Sequence, residues 1–296
     1  MSGNTSHQAW LRAMPVVFVL IWSTGFIVAR YGMPNSPPFT FLLWRYAFSI
    51  LCFVPWVIWA RVPWPAGRAQ WGHLALTGVL MHAGYLGGVW AAVKVGMGSG
   101  LSALIVGLQP VLTAIWLSSS GGHVSRRQWQ GLALGFVGLA MVVSRKLEGG
   151  IEVTPWSVTM AVMALCAITI GTLYQKRFVA TCDVRSANAV QLMAAFVVTL
   201  PIACLEAEPV RWTHEMMGAL AWSVIGLTLG GSSLLYVLIQ RGAAASVTSL
   251  MYLVPPTTAV MAWFLFGEPI TVVTLAGIAV TAVGVSLVVR PPRVAS

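Results

Sequence analysis

The chain has 296 residues, of which 58% are hydrophobic and only 8% charged, with a mean hydropathy of +0.83 and a formal net charge of +10. A soluble domain carries about a quarter charged residues, so this composition excludes one and indicates an all-α integral membrane protein. The basic excess, which in a soluble chain would suggest nucleic acid, becomes a question of which membrane face carries it, and no nucleic-acid partner is expected.

Ten apolar stretches, each long enough to cross about 30 Å of hydrocarbon as a helix, follow one another between short polar breaks. They span 14–32, 38–60, 71–93, 99–118, 126–145, 155–175, 187–205, 216–239, 246–266 and 271–290. Barrel strands would alternate over short segments, and these do not. The first stretch is longer than a usual signal core and lacks a small-residue cleavage site, so it is expected to be retained. Cys52, Cys166, Cys182 and Cys204 are scattered without metal-ligand spacing, which points to free thiols and to neither a disulfide nor a metal site.

The breaks sort the charges. Arg12, Arg61, Arg68, Arg126, Arg127, Lys176, Arg177, Arg185, Arg241, Arg290 and Arg293 fall on one side, with Asp183 as its single acid. The other side carries Arg30, Lys94, Arg145, Lys146 and Arg211 beside Glu148, Glu152, Glu206, Glu208, Glu215 and Glu268. By the positive-inside rule both termini are cytoplasmic.

The chain also repeats itself. A shift of 146 positions lays Pro110 on Pro256, Gly121 on Gly267, Gly131 on Gly277, Gly138 on Gly284 and Val142-Val143 on Val288-Val289 without a gap. The same shift pairs Gly25 with Gly171, Arg30 with Lys176, Arg45 with Gln191, Pro55 with Pro201, Pro63 with Pro209 and Gly72 with Gly218. Residues 1–147 and 148–296 therefore read as one five-helix unit written twice. Five is odd, so the second unit enters the membrane facing the other way. Inverted repeats of this kind are an architecture of secondary transporters, with a site near the midplane between the halves.

The run WSTGFIVARYG at Trp22 to Gly32, FLLWRYAFS at Phe41 to Ser49, and Pro255-Pro256 through Gly267-Glu268-Pro269 to GIAVTAVGVSLVV resemble the drug/metabolite transporter superfamily, in particular its EamA-type exporters. The resemblance covers almost the full chain and implies ten helices in two five-helix repeats. Within the superfamily the chain is similar to amino-acid exporters of bacterial inner membranes, including exporters of aromatic amino acids, which implies that location. One departure is that Gly121-Gly122 stands where the second unit has Gly267-Glu268.

Polar groups inside the bilayer are costly unless they face a cavity or a partner, so they nominate the site. His82 and Tyr85 lie three apart, on one helical face, with Trp90 further along and Gly84 and Gly88 at small-xxx-small spacing for close helix contact. His82 reads either as a substrate ligand or as a core histidine satisfied by a carbonyl. Arg45 cannot deprotonate; it either attracts a substrate carboxylate or snorkels outward to cap carbonyls. Gln109, Tyr174, Tyr236 and Tyr252 complete the candidate substrate-binding set, with Gln191, Gln175 and Gln240 as further neutral partners. Trp22, Trp44, Trp116 and Trp263 are candidates for cavity walls, whereas Trp10, Trp59, Trp64, Trp71 and Trp212 near span ends read as interfacial anchors. Pro110, Pro255 and Pro256 interrupt the fourth and ninth helices and are candidate hinges. Glu268 is expected to complement the positive end of the tenth helix.

No Asp or Glu lies in the middle of a span, whereas the short multidrug relatives carry an acid in their first helix. That disfavours proton-coupled export of organic cations. It also removes the general acid/base pairs and metal clusters of an enzyme, and there is no phosphate-cradling glycine loop for an ATP-driven pump. The expectation is a cofactor-free carrier, working as a monomer, that exports small metabolites, foremost amino acids including aromatic ones, through a central cavity by alternating access and facilitated diffusion. The alternatives are an exporter of other metabolites or amphipathic drugs, with His82 coupling protons, and a membrane enzyme or assembly subunit.

Overall fold

The computed structural model describes residues 3–119, 125–148, 153–231, 234 and 253–289, and every regular element in them is helical. The elements are α1 (Gly3–Gly32), α2 (Pro38–Trp59), α3 (Arg68–Gly78), a π-helical segment π1 (Val79–Gly84), α4 (Tyr85–Lys94), α5 (Ser99–Val106), α6 (Gln109–Ser119), α7 (Arg126–Glu148), α8 (Pro155–Phe178), α9 (Val184–Cys204), α10 (His214–Trp222), a second π-helical segment π2 (Ser223–Gly231), α11 (Val254–Phe266) and α12 (Val272–Val289).

Among the described residues, four helices are long and apolar enough to cross a membrane: Pro38–Trp59, Arg68–Lys94, Pro155–Phe178 and Val184–Cys204. The second of these is the continuous run α3–π1–α4. Shorter apolar helices fall at Val16–Gly32, Ser99–Thr113, Trp129–Met141, Val254–Phe266 and Val272–Gly284. The expected stretches 216–239 and 246–266 run into residues outside the described ones. The stretch at 99–118 is two helices, because Gly107 and Leu108 turn between α5 and α6 and place Pro110 in the first turn of α6. Pro255 and Pro256 likewise stand in the first turn of α11, where a missing N–H costs no hydrogen bond. Pro55 and Pro201 are inside α2 and α9.

Helices in lipid gain little from excluding water and must associate by close packing, for which small residues are suited. Packing here follows the glycines. α7 lies along α12, α2 along α9, α4 along α8, and α1 and α5 along α11. A Cβ built on Gly284 would sit 2.5 Å from the Gly131 carbonyl oxygen, and one on Gly138 would sit 2.5 Å from the Gly277 carbonyl oxygen. Gly131 maps onto Gly277 and Gly138 onto Gly284 under the 146-residue shift, so these contacts are reciprocal. A second pair behaves the same way: Gly25 faces Leu227 and Gly171 faces Met81, and the shift carries Gly25 to Gly171 and Met81 to Leu227. The expected Gly84 and Gly88 contact is made against α8, with Ala167 Cβ and the Met160 carbonyl as neighbours.

Exposed apolar side chains such as Leu51, Ile58, Phe136, Val197 and Phe264 ring the outside of the bundle, as a lipid-facing surface requires. Trp44, Trp116 and Trp263 are among them, at 40%, 56% and 53% exposure. Their exposure matches that of the apolar side chains around them. Trp22 is half-buried against Phe18. Trp59, Trp64, Trp71 and Trp212 are exposed near helix ends, consistent with interfacial anchoring. The four cysteines are free, with Cys52, Cys166 and Cys204 exposed on the same outer surface.

Substituting Gly138 with leucine is expected to destabilise the detergent-solubilised protein by about 1–3 kcal/mol through overpacking, read as a fall in Tm. Gly72→Leu, whose Cβ would meet nothing within 4 Å, is expected to leave Tm unchanged.

Candidate functional site

Two polar networks close the ends of the bundle, and a third lies between them. At the acidic end, Glu206 takes the N-terminus of α2: its carboxylate accepts from Phe39 N at 3.1 Å, Thr40 N at 2.7 Å and Thr40 Oγ1 at 2.8 Å, which offsets the free N–H groups and positive end of that helix. Lys94 Nζ donates to the Met33 carbonyl at 2.9 Å and pairs with Glu208 at 2.7 Å. Arg211 N donates to the Asn35 carbonyl at 2.8 Å. Every one of these contacts joins residues before 147 to residues after 148, or braces the loop that does.

Glu268 extends the sequence expectation. Its carboxylate also reaches beyond the helix that follows it, accepting from Ser99 N at 3.0 Å, at the start of α5, and pairing with Arg30 at 3.6 Å. The turn at Gly267, with φ +65, sends the chain back across the end of α5, so the nearest unsatisfied N-terminus in space is not the nearest in sequence.

At the basic end, the Gln70 carboxamide exchanges hydrogen bonds with Ala180, accepting at 3.1 Å and donating at 2.8 Å. Asp183 caps α9 through Arg185 N at 2.9 Å, and the hydrogen bond from the Arg185 guanidinium holds its carboxyl below the usual range. His73 Nδ1 and Tyr174 OH lie 2.7 Å apart, with Phe178 stacked on the imidazole. Tyr174, nominated as a substrate ligand, thus has His73 as its partner at the basic end. Gln109 donates to Thr172 Oγ1 at 3.0 Å.

The intervening network is built around α2. Its buried face carries Arg45, 8% exposed, and Tyr46, fully buried. Arg45 is five residues, or about 7.5 Å, along the helix from the Glu206-capped end. Its Nε and Nη2 both donate to Thr228 Oγ1 at 3.2 Å, in π2. Tyr46 OH donates to the His82 carbonyl at 2.9 Å, in π1, with its ring edge-on to the imidazole at 6.2 Å. The Gln191 carboxamide, 6% exposed on α9, lies beside the His82 imidazole. Tyr85, 8% exposed, shares the field of Arg45. Gly78 makes this possible: a Cβ there would fall 2.5 Å from Gln191 Cα, so only glycine lets α3 and α9 touch.

Arg45 maps onto Gln191 under the 146-residue shift, and His82 maps onto Thr228. Arg45 to Thr228 and Gln191 to His82 are therefore the same contact made twice, each reaching from one half to the other. The sequence nominated His82, Tyr85 and Arg45, and the structure brings them together. It missed Thr228 and Tyr46; comparing His82 with its repeat mate would have found the first. Trp90 is separate, 1% exposed and stacked on Phe41 at 4.3 Å. Tyr236 and Tyr252 lie outside the described residues, as does the side chain of Pro110. No group of three His, Cys, Asp or Glu side chains able to hold a metal occurs among the described residues.

The model of the EamA-like transporter family matches this chain twice, at residues 13–144 and 155–290. The chain belongs to that family. Similar relatives include an uncharacterized transporter of Archaeoglobus fulgidus, 25% identical over 91% of this chain and 93% of that one. The inner membrane transporter YedA of Escherichia coli K12 is 24% identical over 91% and 87%. A probable amino-acid metabolite efflux pump of Salmonella typhimurium is 23% identical over 89% of each. A solved crystal structure shares the fold, with a TM-score of 0.64 at 16% identity, covering 93% of this chain and 94% of that one. The family makes the protein a membrane transporter and accounts for the two matched halves packing through equivalent glycines.

Two acids of the acidic end differ in exposure, 6% for Glu268 and 46% for Glu208. Glu268→Ala is expected to cost about 1.5–3 kcal/mol, as a buried charge-assisted hydrogen bond is lost, against about 1 kcal/mol or less for Glu208→Ala at a surface pair. Paired thermal melts in detergent check the order.

Proposed function

We propose that this EamA-family protein is a carrier of ten membrane-spanning helices in two inverted repeats, 1–147 and 148–296, that exports amino acids, including aromatic ones, from the bacterial cytoplasm. It sits in the inner membrane with both termini cytoplasmic. Transport runs by alternating access and facilitated diffusion.

The crossed contact pair carries this reading. A polar cluster of Arg45, Tyr46, His82, Tyr85, Gln191 and Thr228 is formed by both halves, with Arg45 and Gln191, and His82 and Thr228, at equivalent positions; an inverted-repeat carrier holds its substrate at such a place. The reciprocal glycine contacts support a two-fold relation between the halves. The charge placement supports the orientation, and the name of the Salmonella relative supports amino acids as the cargo. Aromatic substrates fit a cluster with two phenols and an imidazole, which offer ring edges as well as hydrogen bonds.

The helix breaks supply hinges. The turn between α5 and α6, before Pro110, rests against the prolines of α11: a Cβ on Gly107 would lie 2.9 Å from Pro255 Cγ. Motion of one break is thereby felt at the other. The acidic-end network holds the outer side together in this conformation, and its ion pairs must part for release.

The test is counterflow of labelled phenylalanine into proteoliposomes preloaded with unlabelled phenylalanine, without ion gradients. Wild type is expected to accumulate label transiently, and His82→Ala to lose at least about tenfold in rate, the worth of one charged or strongly polar contact. Uptake no greater than in protein-free liposomes overturns the amino-acid assignment. Orientation is checked separately in intact cells: a cysteine replacing Glu208 is expected to react with an impermeant maleimide, and one replacing Arg68 is not.

A further inference from the structure

Among the described residues, Arg45 is a buried cation with no carboxylate beside it. Its guanidinium carries five donors, and the described contacts give two of its nitrogens a single neutral hydroxyl, that of Thr228. Its electrostatic neighbours are the phenols of Tyr46 and Tyr85 and the imidazole of His82. Each acid whose side chain is described is engaged at one end of the bundle: Asp183 with Arg185, Glu206 with Phe39 and Thr40, Glu208 with Lys94, Glu268 with Ser99 and Arg30, and Glu215 in the first turn of α10 beside Thr213. A charge at membrane depth is costly unless paired, and the cluster holds one positive charge and no negative one.

We infer that Arg45 is the receptor for a carboxylate on the transported molecule, and that the site also takes aromatic monocarboxylates that lack an amino group, such as 2-oxo and 2-hydroxy acids, while rejecting aromatic amines. This rests on the carrier reading above and adds a substrate class to it. A carboxylate meets the guanidinium fork with two parallel charge-assisted hydrogen bonds and cancels the buried charge. An ammonium group finds only neutral acceptors in His82, Gln191, Thr228 and the two phenols, and it is repelled by Arg45. Removing the amine from a substrate forfeits neutral contacts. Removing the carboxylate leaves two like charges in one desolvated cluster.

The experiment compares phenylpyruvate, phenylalanine and phenethylamine on the full-length protein in two readouts: inhibition of phenylalanine counterflow, and thermal stabilisation of the protein in detergent, which needs no phenylalanine transport. Phenylpyruvate is expected to act within about threefold of phenylalanine, and phenethylamine at least about thirtyfold more weakly, the span of one charge-assisted hydrogen-bonded pair. Arg45→Gln is expected to abolish that preference, Arg45→Lys to keep it with about tenfold weaker binding because the fork is lost, and Thr228→Val to keep it because the carboxylate replaces the hydroxyl. Should Arg45→Gln fail to fold, the wild-type order and the Lys and Thr228→Val variants still decide. Phenethylamine acting as strongly as phenylpyruvate on wild type, or a preference that survives in Arg45→Gln, overturns the inference and leaves the amino-acid carrier intact. Stabilisation by phenylpyruvate with no phenylalanine counterflow overturns the amino-acid assignment and leaves the inference standing.

Discussion

The architecture depends on backbone-to-backbone approach at glycine. Lipid offers helices no hydrophobic reward for pairing, so what holds them is contact distance. At Gly78, Gly88, Gly138 and Gly284 a single Cβ would collide with main-chain atoms of the opposite helix. Those contacts set where α3 meets α9, where α4 meets α8 and where α7 meets α12. Everything polar in the middle of the bundle is positioned by them, because Gln191 reaches His82 only where Gly78 lets α9 come down onto α3.

Against that packed frame the polar residues divide by depth. Carboxylates are kept to the ends, where helix N-termini, Lys94, Arg30 and Arg185 receive them. The middle holds phenols, a carboxamide, an imidazole, a hydroxyl and one guanidinium. Such a middle can recognise a molecule by shape and dipole, and its single formal charge gives it a sign. Thr228 spends its own proton on the Ser223 carbonyl at 2.9 Å, so its oxygen is free to accept from Arg45, a neutral stand-in where a carboxylate would bind more strongly.

Much of this is legible in the chain because membrane helices announce themselves by length and the duplication by its glycines and prolines. Span positions, the repeat, and the grouping of His82, Tyr85 and Arg45 all follow from local pattern plus the cost of a polar group in lipid. What the pattern does not hold is direction around the helix axis. Lipid-facing and protein-facing positions are both apolar, so nothing in the spacing marks Trp44 and Trp263 as outward or Trp90 as core. Nor does it reveal that Glu268 turns back to α5, since that depends on which helix end is near in space. Tyr174 was chosen as an intramembrane phenol, but its partner His73 is a hundred residues away and visible only once α3 packs on α8.

The π-helical segments have a consequence of their own. Residues 79–84 of π1 map onto 225–230, inside π2, so the wider winding falls at matching positions under the 146-residue shift. A surplus residue there turns all that follows by about 100° relative to an unbroken α-helix. Tyr85 and Trp90 therefore face where they do because of a register offset lodged next to His82, and the matching segment contains Thr228. Were the run α3–π1–α4 wound as an ordinary α-helix throughout, Tyr85 and Trp90 would swing off the faces on which they meet Arg45 and Phe41.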